Sequence, residues 1–297
     1  MKPAPFDYVR APTVAQACAL LAADEDARLI AGGQTLIPML AMRLARPTRL
    51  IDIARIAALD RVERDGESLT IGAATRQVTA LRSALVAECV PLLAAALPFV
   101  GHAATRGRGT IGGSIAHADP AAEIPLVALT LDAALLVEDM SGTHVLPTAE
   151  FFLGPMLTAL PTRAVLTAVR IPQLPRGRVG AAFLEVSARR SDFALVAAAA
   201  QVVLDDDDRC TSAVAGIGGA CATPVRLDVS ALVGATLDER RIADIVAAAT
   251  ADLDAMTDLQ ASAAYRRRVA ATLARRALVA AWNQALAREP DARHPRH

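Results

Sequence analysis

The run FALVAAAAQVVL, residues 193–204, most narrows what this chain can become. It is apolar except for Gln201 and is bounded by Asp192 and Asp205. A bilayer needs about 20 such residues, so the run is to be buried in protein, as a strand or a core helix. DDDD at 205–208 follows, then SAVAGIGGA. A charged turn between two apolar runs predicts a β-hairpin. GIGGAC, residues 216–221, fails as a dinucleotide fingerprint: Cys221 stands at the third glycine position and Pro224 follows where a helix should run. A close-packed strand with glycines is the expectation there.

The preceding sequence is mixed. TVAQACALLAA opens on Thr13 with Gln16 three residues later, a capping-box pattern for a first helix. ARLIAGG reads as a strand entering a glycine turn, and TRLIDI, SLTIGAA and LDAALLVED as further strands. Between Thr75 and Pro98 the apolar spacing suits helices, with Pro91 as a break. Beyond Pro224, DERRIADIVAAAT and SAAYRRRVAATLARRALVAAWNQAL are helical. In the latter, Tyr265, Val269, Leu273 and Ala277 form the expected apolar stripe, and Arg266, Arg267, Arg268, Arg275 and Arg276 a solvated basic face, with a docking surface for a partner as the alternative. RIPQLPRGRVG places a boundary near residue 175, and the segment after Glu289 reads as a disordered tail.

Several function classes are disfavoured. Formal net charge is zero, which gives no general attraction to nucleic acid, and no segment predicts integral membrane association. The amino terminus lacks the apolar core of a secretory signal, and Cys18, Cys89, Cys210 and Cys221 sit in no ligand-like cluster. They read as buried thiols of a cytoplasmic protein, with no metal site. GGSIA could be a loosened nucleophile elbow on Ser114, but RGRGT precedes it, Pro120 follows, and later histidines are poorly placed for a triad. His117 reads as a loop histidine.

A cradle built from two loops remains. AGGQTL at 31–36 and TIGGS at 110–114 each pair glycines with hydroxyl or amide side chains. Glycine lets backbone N–H groups approach an anion, and successive N–H groups form an anion-binding concavity. Gln34, Thr35, Thr110 and Ser114 add hydrogen bonds. Two such loops converging can hold a pyrophosphate.

AGGQTLIPML followed by RGRGTIGGSIAHADPAAEIP resembles the paired signature of the FAD-binding medium subunit of molybdenum hydroxylases, the group of the carbon monoxide dehydrogenase medium chain and the xanthine dehydrogenase flavin domain. FFLGPMLTAL, VRIP, SARRSDFALVAAAA, GIGGACATPVRL and AAYRRRVA continue the resemblance across nearly the whole chain. It implies an α+β fold: a two-subdomain FAD-binding domain of the PCMH type over 1–175, divided about residue 57, then a carboxy-terminal sheet-plus-helices domain over 176–289. It implies FAD as cofactor, held by Ala31, Gly32, Gly33, Gln34, Thr35 and Leu36 in the first loop and Thr110, Ile111, Gly112, Gly113 and Ser114 in the second. Glu123 matches an acid that binds cofactor hydroxyls. Phe193 matches an aromatic beside the isoalloxazine, and Leu166, Leu184 and Val100 match positions that line the flavin. Thr35, Gly107, Ser114, Ala164 and Leu184 depart from common family residues. No catalytic residue is expected on this chain. The resemblance implies an iron–sulfur subunit and a molybdenum-cofactor subunit as partners, in a dimer of heterotrimers. The alternatives are a self-contained flavin oxidoreductase and a scaffold subunit without cofactor.

Overall fold

The computed structural model describes residues 2–173, 177–189 and 191–288. Residue 175, where the sequence places a boundary, and the tail at 290–297 lie outside the described residues. The chain opens with β1 (Asp7–Arg10), α1 (Val14–Ala23), β2 (Arg28–Ile30), α2 (Leu36–Ala41), β3 (Arg49–Asp52), β4 (Val62–Asp65) and β5 (Ser68–Gly72). Helices α3 (Gln77–Arg82), α4 (Ala84–Cys89), α5 (Pro91–Ala96), α6 (Ala103–Arg108), α7 (Ile111–His117) and α8 (Glu123–Thr130) follow. Then come β6 (Ala134–Asp139), β7 (Gly142–Pro147), α9 (Thr148–Phe151), β8 (Phe152–Gly154), β9 (Leu157–Thr158) and β10 (Val165–Pro172). The last third holds β11 (Arg178–Ser187), β12 (Ala194–Leu204), β13 (Cys210–Gly218), β14 (Val225–Leu227), α10 (Glu239–Thr250) and α11 (Ala263–Leu286).

Packing gathers these into two compact units that interleave along the chain. The first takes the chain up to Val86, Gly101–Ala118 and Asp132–Pro172; the second takes Ala87–Val100, Asp119–Leu131 and the chain from Gln173 on.

In the first unit, β3 lies between β1 and β2, parallel to both, and Ile51 at its centre is fully buried. Parallel strands require a crossover, and α1 supplies an apolar face of Ala17, Cys18 and Leu21 to the core around Ile51. Thr13 caps α1 as the sequence predicts, its Oγ1 accepting from Gln16 N–H at 3.2 Å. A five-stranded antiparallel sheet, ordered β4-β5-β10-β6-β7, has the late strand β10 at its centre.

In the second unit, β11-β12-β13-β14 form an antiparallel sheet. The apolar run is β12, a buried strand, and the predicted hairpin forms, with Ala200 opposite Ala215. Asp205 closes its turn by accepting from Asp207 N–H and Arg209 N–H at 3.0 and 2.8 Å. One face of the sheet carries α11, the other α5 and α8. Pro91 starts α5 at its first turn instead of merely breaking a helix, the position where a missing N–H costs nothing.

The stripe expected on α11 holds at Leu273 and Ala277 and departs in its first half. The buried face is Arg266, Ala270, Leu273, Ala274, Ala277, Leu278, Ala281, Trp282 and Ala285, while Tyr265 and Val269 are half-buried. Arg266, expected on a solvated face, is 3 % exposed; Arg267, Arg268, Arg275 and Arg276 are exposed as expected. In a helix this rich in alanine every face is passably apolar, so packing chooses the face. Gly180 on β11 decides how closely α11 can lie: a Cβ there would run into Ala281 O and sit 2.6 Å from Ala285 N. Gly180→Ala is expected to destabilise the protein by about 1–3 kcal/mol, the cost of overpacking, measured by urea denaturation.

Candidate functional site

The first glycine segment leaves β2 at Ile30 and enters α2 at Thr35. Gly33 makes the turn at φ +70, a backbone region that glycine enters without strain. Gln34 Nε2 donates to Gly32 O at 3.3 Å. Ala31, Gly32, Gly33 and Leu36 are half-buried, and Gln34 and Thr35 are exposed. Among the described residues, no protein group accepts from the N–H of Gly32, Gly33, Gln34 or Thr35.

The second segment differs from the loop that the sequence suggests. Thr110 is the N-cap of α7, and Ile111, Gly112, Gly113 and Ser114 form its first turn, with His117 in its last. The glycine pair therefore opens a helix, and Ser114 sits inside it instead of at a strand-to-helix elbow. The segment is pinned to the end of β5 and the residues after it. Gly112 N–H donates to Ala73 O at 2.9 Å, Ile111 N–H to Thr75 O at 3.0 Å, and Gln77 N–H to Gly109 O at 2.9 Å. Gly113 N–H is taken by the Thr110 hydroxyl at 3.0 Å and Ser114 N–H by Thr110 O at 3.2 Å. The expected row of free donors is thus absent from residues 111–114. What this segment presents is the hydroxyl of Ser114, half-buried, beside Thr110, which is 2 % exposed. Gly112 is glycine for packing: a Cβ would lie 2.7 Å from Ala73 Cα.

The two segments meet. A Cβ on Gly32 would run into Arg108 O and lie 2.9 Å from Gly109 Cα. Arg76 donates to the same Arg108 carbonyl, and the Gln77 amide packs on Gly109. Sequence reasoning missed Ala73, Arg76, Gln77 and Gly109, because hydrogen bonding through backbone leaves no side-chain pattern; only Gly109 carried a signal, as another glycine. Free N–H groups on one segment and hydroxyls on the other, joined without intervening side chains, suit the oxygens of a diphosphate.

The remaining expected residues take separate places. In the first unit, Leu166 lies on β10 at a bulge, 4 % exposed. In the second, Val100 is buried after α5. Glu123 opens α8 and is 9 % exposed, its carboxylate at the positive end of the helix. Leu184 packs against the core beneath α11, whereas Phe183 points to the other face of β11 and meets Phe99 with ring centroids 5.2 Å apart. Phe193 is 69 % exposed at the start of β12. A Ser, His and Asp do gather at the β6–β7 turn: Ser141 Oγ is 2.6 Å from Asp139 Oδ1 and 3.0 Å from His144 Nε2. Asp139 also sits on Nε2, at 3.2 Å, so no ring separates acid from hydroxyl and no relay exists. The Ser141 hydroxyl, then its N–H and His144, hold the Asp139 carboxyl down to about 2.

A glycine-lined cradle stands on a mixed helix-and-sheet fold, and a further antiparallel sheet carries helices on both faces. Residues 4–174 match the FAD binding domain in molybdopterin dehydrogenase, and residues 181–281 the CO dehydrogenase flavoprotein C-terminal domain. The chain belongs to this family, the FAD-binding medium subunits of molybdenum hydroxylase-type oxidoreductases. It is 38% identical to the 6-hydroxypseudooxynicotine dehydrogenase complex subunit alpha of Paenarthrobacter nicotinovorans, over 96% of this chain and 97% of the relative. The carbon monoxide dehydrogenase medium chain of Hydrogenophaga pseudoflava is 32% identical over 95% and 99%. A chain of quinoline 2-oxidoreductase from Pseudomonas putida 86 superposes with a TM-score of 0.91 at 33% identity, over 96% and 100%. Among the described residues no helix is long and apolar enough to cross a membrane.

One half-buried acid stands apart from these features. Glu185 lies on β11 opposite Ala197, and its Oε2 is buried with no hydrogen-bond partner among the described residues. Burial pushes its carboxyl up to about 7. The folded state therefore holds a proton that the unfolded chain has lost above its ordinary value near 4.5. The associated stability is fully present below that value and is lost as pH rises through 7. Glu185→Gln is expected to flatten this slope and to raise the melting temperature at pH 8 by about 2–4 °C, measured by calorimetry from pH 5 to 8.

Proposed function

We propose that this chain is the FAD-carrying electron-transfer subunit of a cytoplasmic molybdenum hydroxylase complex. It takes electrons from an iron–sulfur subunit and passes them to an external acceptor, while substrate oxidation occurs on a molybdenum-cofactor subunit, the whole being a dimer of heterotrimers. The observation that carries the reading is the direct contact of Gly32 with Arg108 and Gly109, which joins two glycine segments far apart in sequence. An FAD-binding domain over 1–175 and a carboxy-terminal domain over 176–289 serve this role.

Each part of the chain has its task. Gly32, Gly33, Gln34 and Thr35 offer backbone N–H groups to the pyrophosphate, with Ala31 and Leu36 framing them. Thr110 and Ser114 offer hydroxyls, and Ile111, Gly112 and Gly113 set the helix that aims them. As the family resemblance implies, Glu123 accepts from cofactor hydroxyls, and Phe193, Val100, Leu184 and Leu166 supply apolar contact. When bound, FAD supplies the redox chemistry, and the chain's residues hold and orient it. No residue of this chain needs to act as general base, so His102 and His117 stay outside the reaction. Relatives named for 6-hydroxypseudooxynicotine and for carbon monoxide carry a chain of this kind, which supports placing substrate choice on a partner.

Coexpression with the neighbouring partner chains, followed by visible spectroscopy and chain identification, tests this. The wild-type complex is expected to carry FAD together with iron–sulfur absorbance. Gly32→Asp and Gly112→Asp are each expected to lower flavin occupancy at least about tenfold, equivalent to about 1.4 kcal/mol. Full occupancy in both variants would remove the loop assignment; turnover of a small substrate by this chain alone would favour a self-contained oxidoreductase.

A further inference from the structure

The two glycine segments touch at Arg108 O, which is an unsuitable group for an anion site. A carbonyl oxygen carries partial negative charge, and this one lies against Gly32, next to the N–H groups left free at residues 32–35. It is also the last carbonyl of α6, so no helical N–H reaches it. Left unmatched, it would repel a diphosphate. Neither glycine segment brings a cation to offset it: AGGQTL and TIGGS hold no Lys or Arg.

Arg76 answers both deficits. It is the N-cap of α3, in extended backbone, and its main chain is held on the second glycine segment. Arg76 bridges Thr110 in antiparallel register, and the N–H of the next residue, Gln77, donates to Gly109 O at 2.9 Å. From that anchored position Nη1 donates to Arg108 O, the oxygen that Gly32 meets. The Gln77 amide, 5 % exposed, packs on Gly109, where a Cβ would lie 2.6 Å from its Oε1. Residues 108 and 109 are thus held by two neighbouring side chains as well as by main chain.

A guanidinium has five N–H groups, and this contact uses one of them. Among the described residues no acid pairs with Arg76, and no other protein acceptor takes its remaining donors. The side chain is half-buried, and a guanidinium does not lose its charge, so that charge stands uncompensated by protein. We propose that Arg76 is a positioning residue of the cofactor site, which ties up the Arg108 carbonyl and sets a positive charge beside the diphosphate. This rests on the reading of residues 31–36 and 110–114 as the diphosphate cradle. Every group involved belongs to the first unit.

The test uses the complete complex, freed of flavin and titrated with FAD at several salt concentrations, with phosphorus NMR of the bound cofactor as second readout. Arg76→Gln keeps a donor but no charge. It is expected to weaken FAD binding about fivefold to tenfold at low salt and less than about twofold at about 1 M, where charges act only within about 3 Å. It is also expected to shift the diphosphate resonances. Arg76→Lys, which keeps the charge, is expected to stay within about threefold of wild type. Arg108→Gln removes an exposed charge at the same junction and leaves the carbonyl held, so less than about half the effect is expected. If Arg76→Gln lowers the melting temperature but leaves FAD affinity and the phosphorus signals as in wild type, the role is overturned. An equal loss at every salt concentration, or an equal loss in Arg108→Gln, overturns it too. Full FAD retention in Gly32→Asp removes the cradle reading, and this role with it; loss there with wild-type binding in Arg76→Gln removes the role of Arg76 alone. Should Arg76→Gln not assemble, Arg76→His takes its place. Its ring is charged only in acid, so FAD binding relative to wild type is expected to tighten from about pH 8 to about pH 5.5, and an unchanged ratio overturns the role.

Discussion

Backbone against backbone at Gly32 is the contact on which the rest of the first unit turns. At such separations no side chain fits, so the position accepts only hydrogen. Gly112 repeats the device on Ala73. The conformational entropy that glycine loses on folding is offset by what the approach permits. Three backbone hydrogen bonds tie residues 109–112 to residues 73–77, each worth about 1 kcal/mol net. The strand edge, the helix α7 and the turn after β2 are thus fixed relative to one another largely through main chain, with the Arg76 and Gln77 side chains packed on the same junction.

The two glycine segments divide the polar work between them. Residues 111–114 use their N–H groups within the chain, on Thr75, Ala73 and Thr110. Residues 32–35 leave theirs without protein acceptors among the described residues. One segment is braced, and the other is held against it with donors to spare. Such a pairing reconciles two demands that compete within a single loop: a donor that satisfies the fold is no longer available to a ligand. The pair is therefore one supported loop and its brace, not two equivalent loops.

Much of the fold was legible where chemistry is local. The aspartate-rich turn announced the β12–β13 hairpin, Thr13 announced α1, and the bounded apolar run announced a buried strand. Legibility failed where a distant partner decides the outcome. TIGGS carries two poor helix formers, yet α7 forms because Thr110 caps it and Ala73 receives Gly112. The face of α11 was legible at Leu273 and Ala277 but not at the start of the helix, where alanine is apolar enough for any face and Arg266 turns inward to donate to Leu195 O and Gly219 O. Most of the candidate site was legible as a pair of motifs, but which atoms are free was not, since that depends on hydrogen bonds between segments more than 30 residues apart.

The interleaving of the two units has a consequence for how the protein is made. Every residue of α8, from Glu123 to Thr130, is buried, and the strands that α8 packs against, β12 to β14, lie between 194 and 227. At a synthesis rate of about 5–20 residues per second, α8 spends several seconds outside the ribosome before those strands exist. During that interval α5 alone offers it native cover, whereas β1, β2 and β3 can already associate. The order of residues along the chain thus sets a waiting time before the sheet can complete the cover of α8.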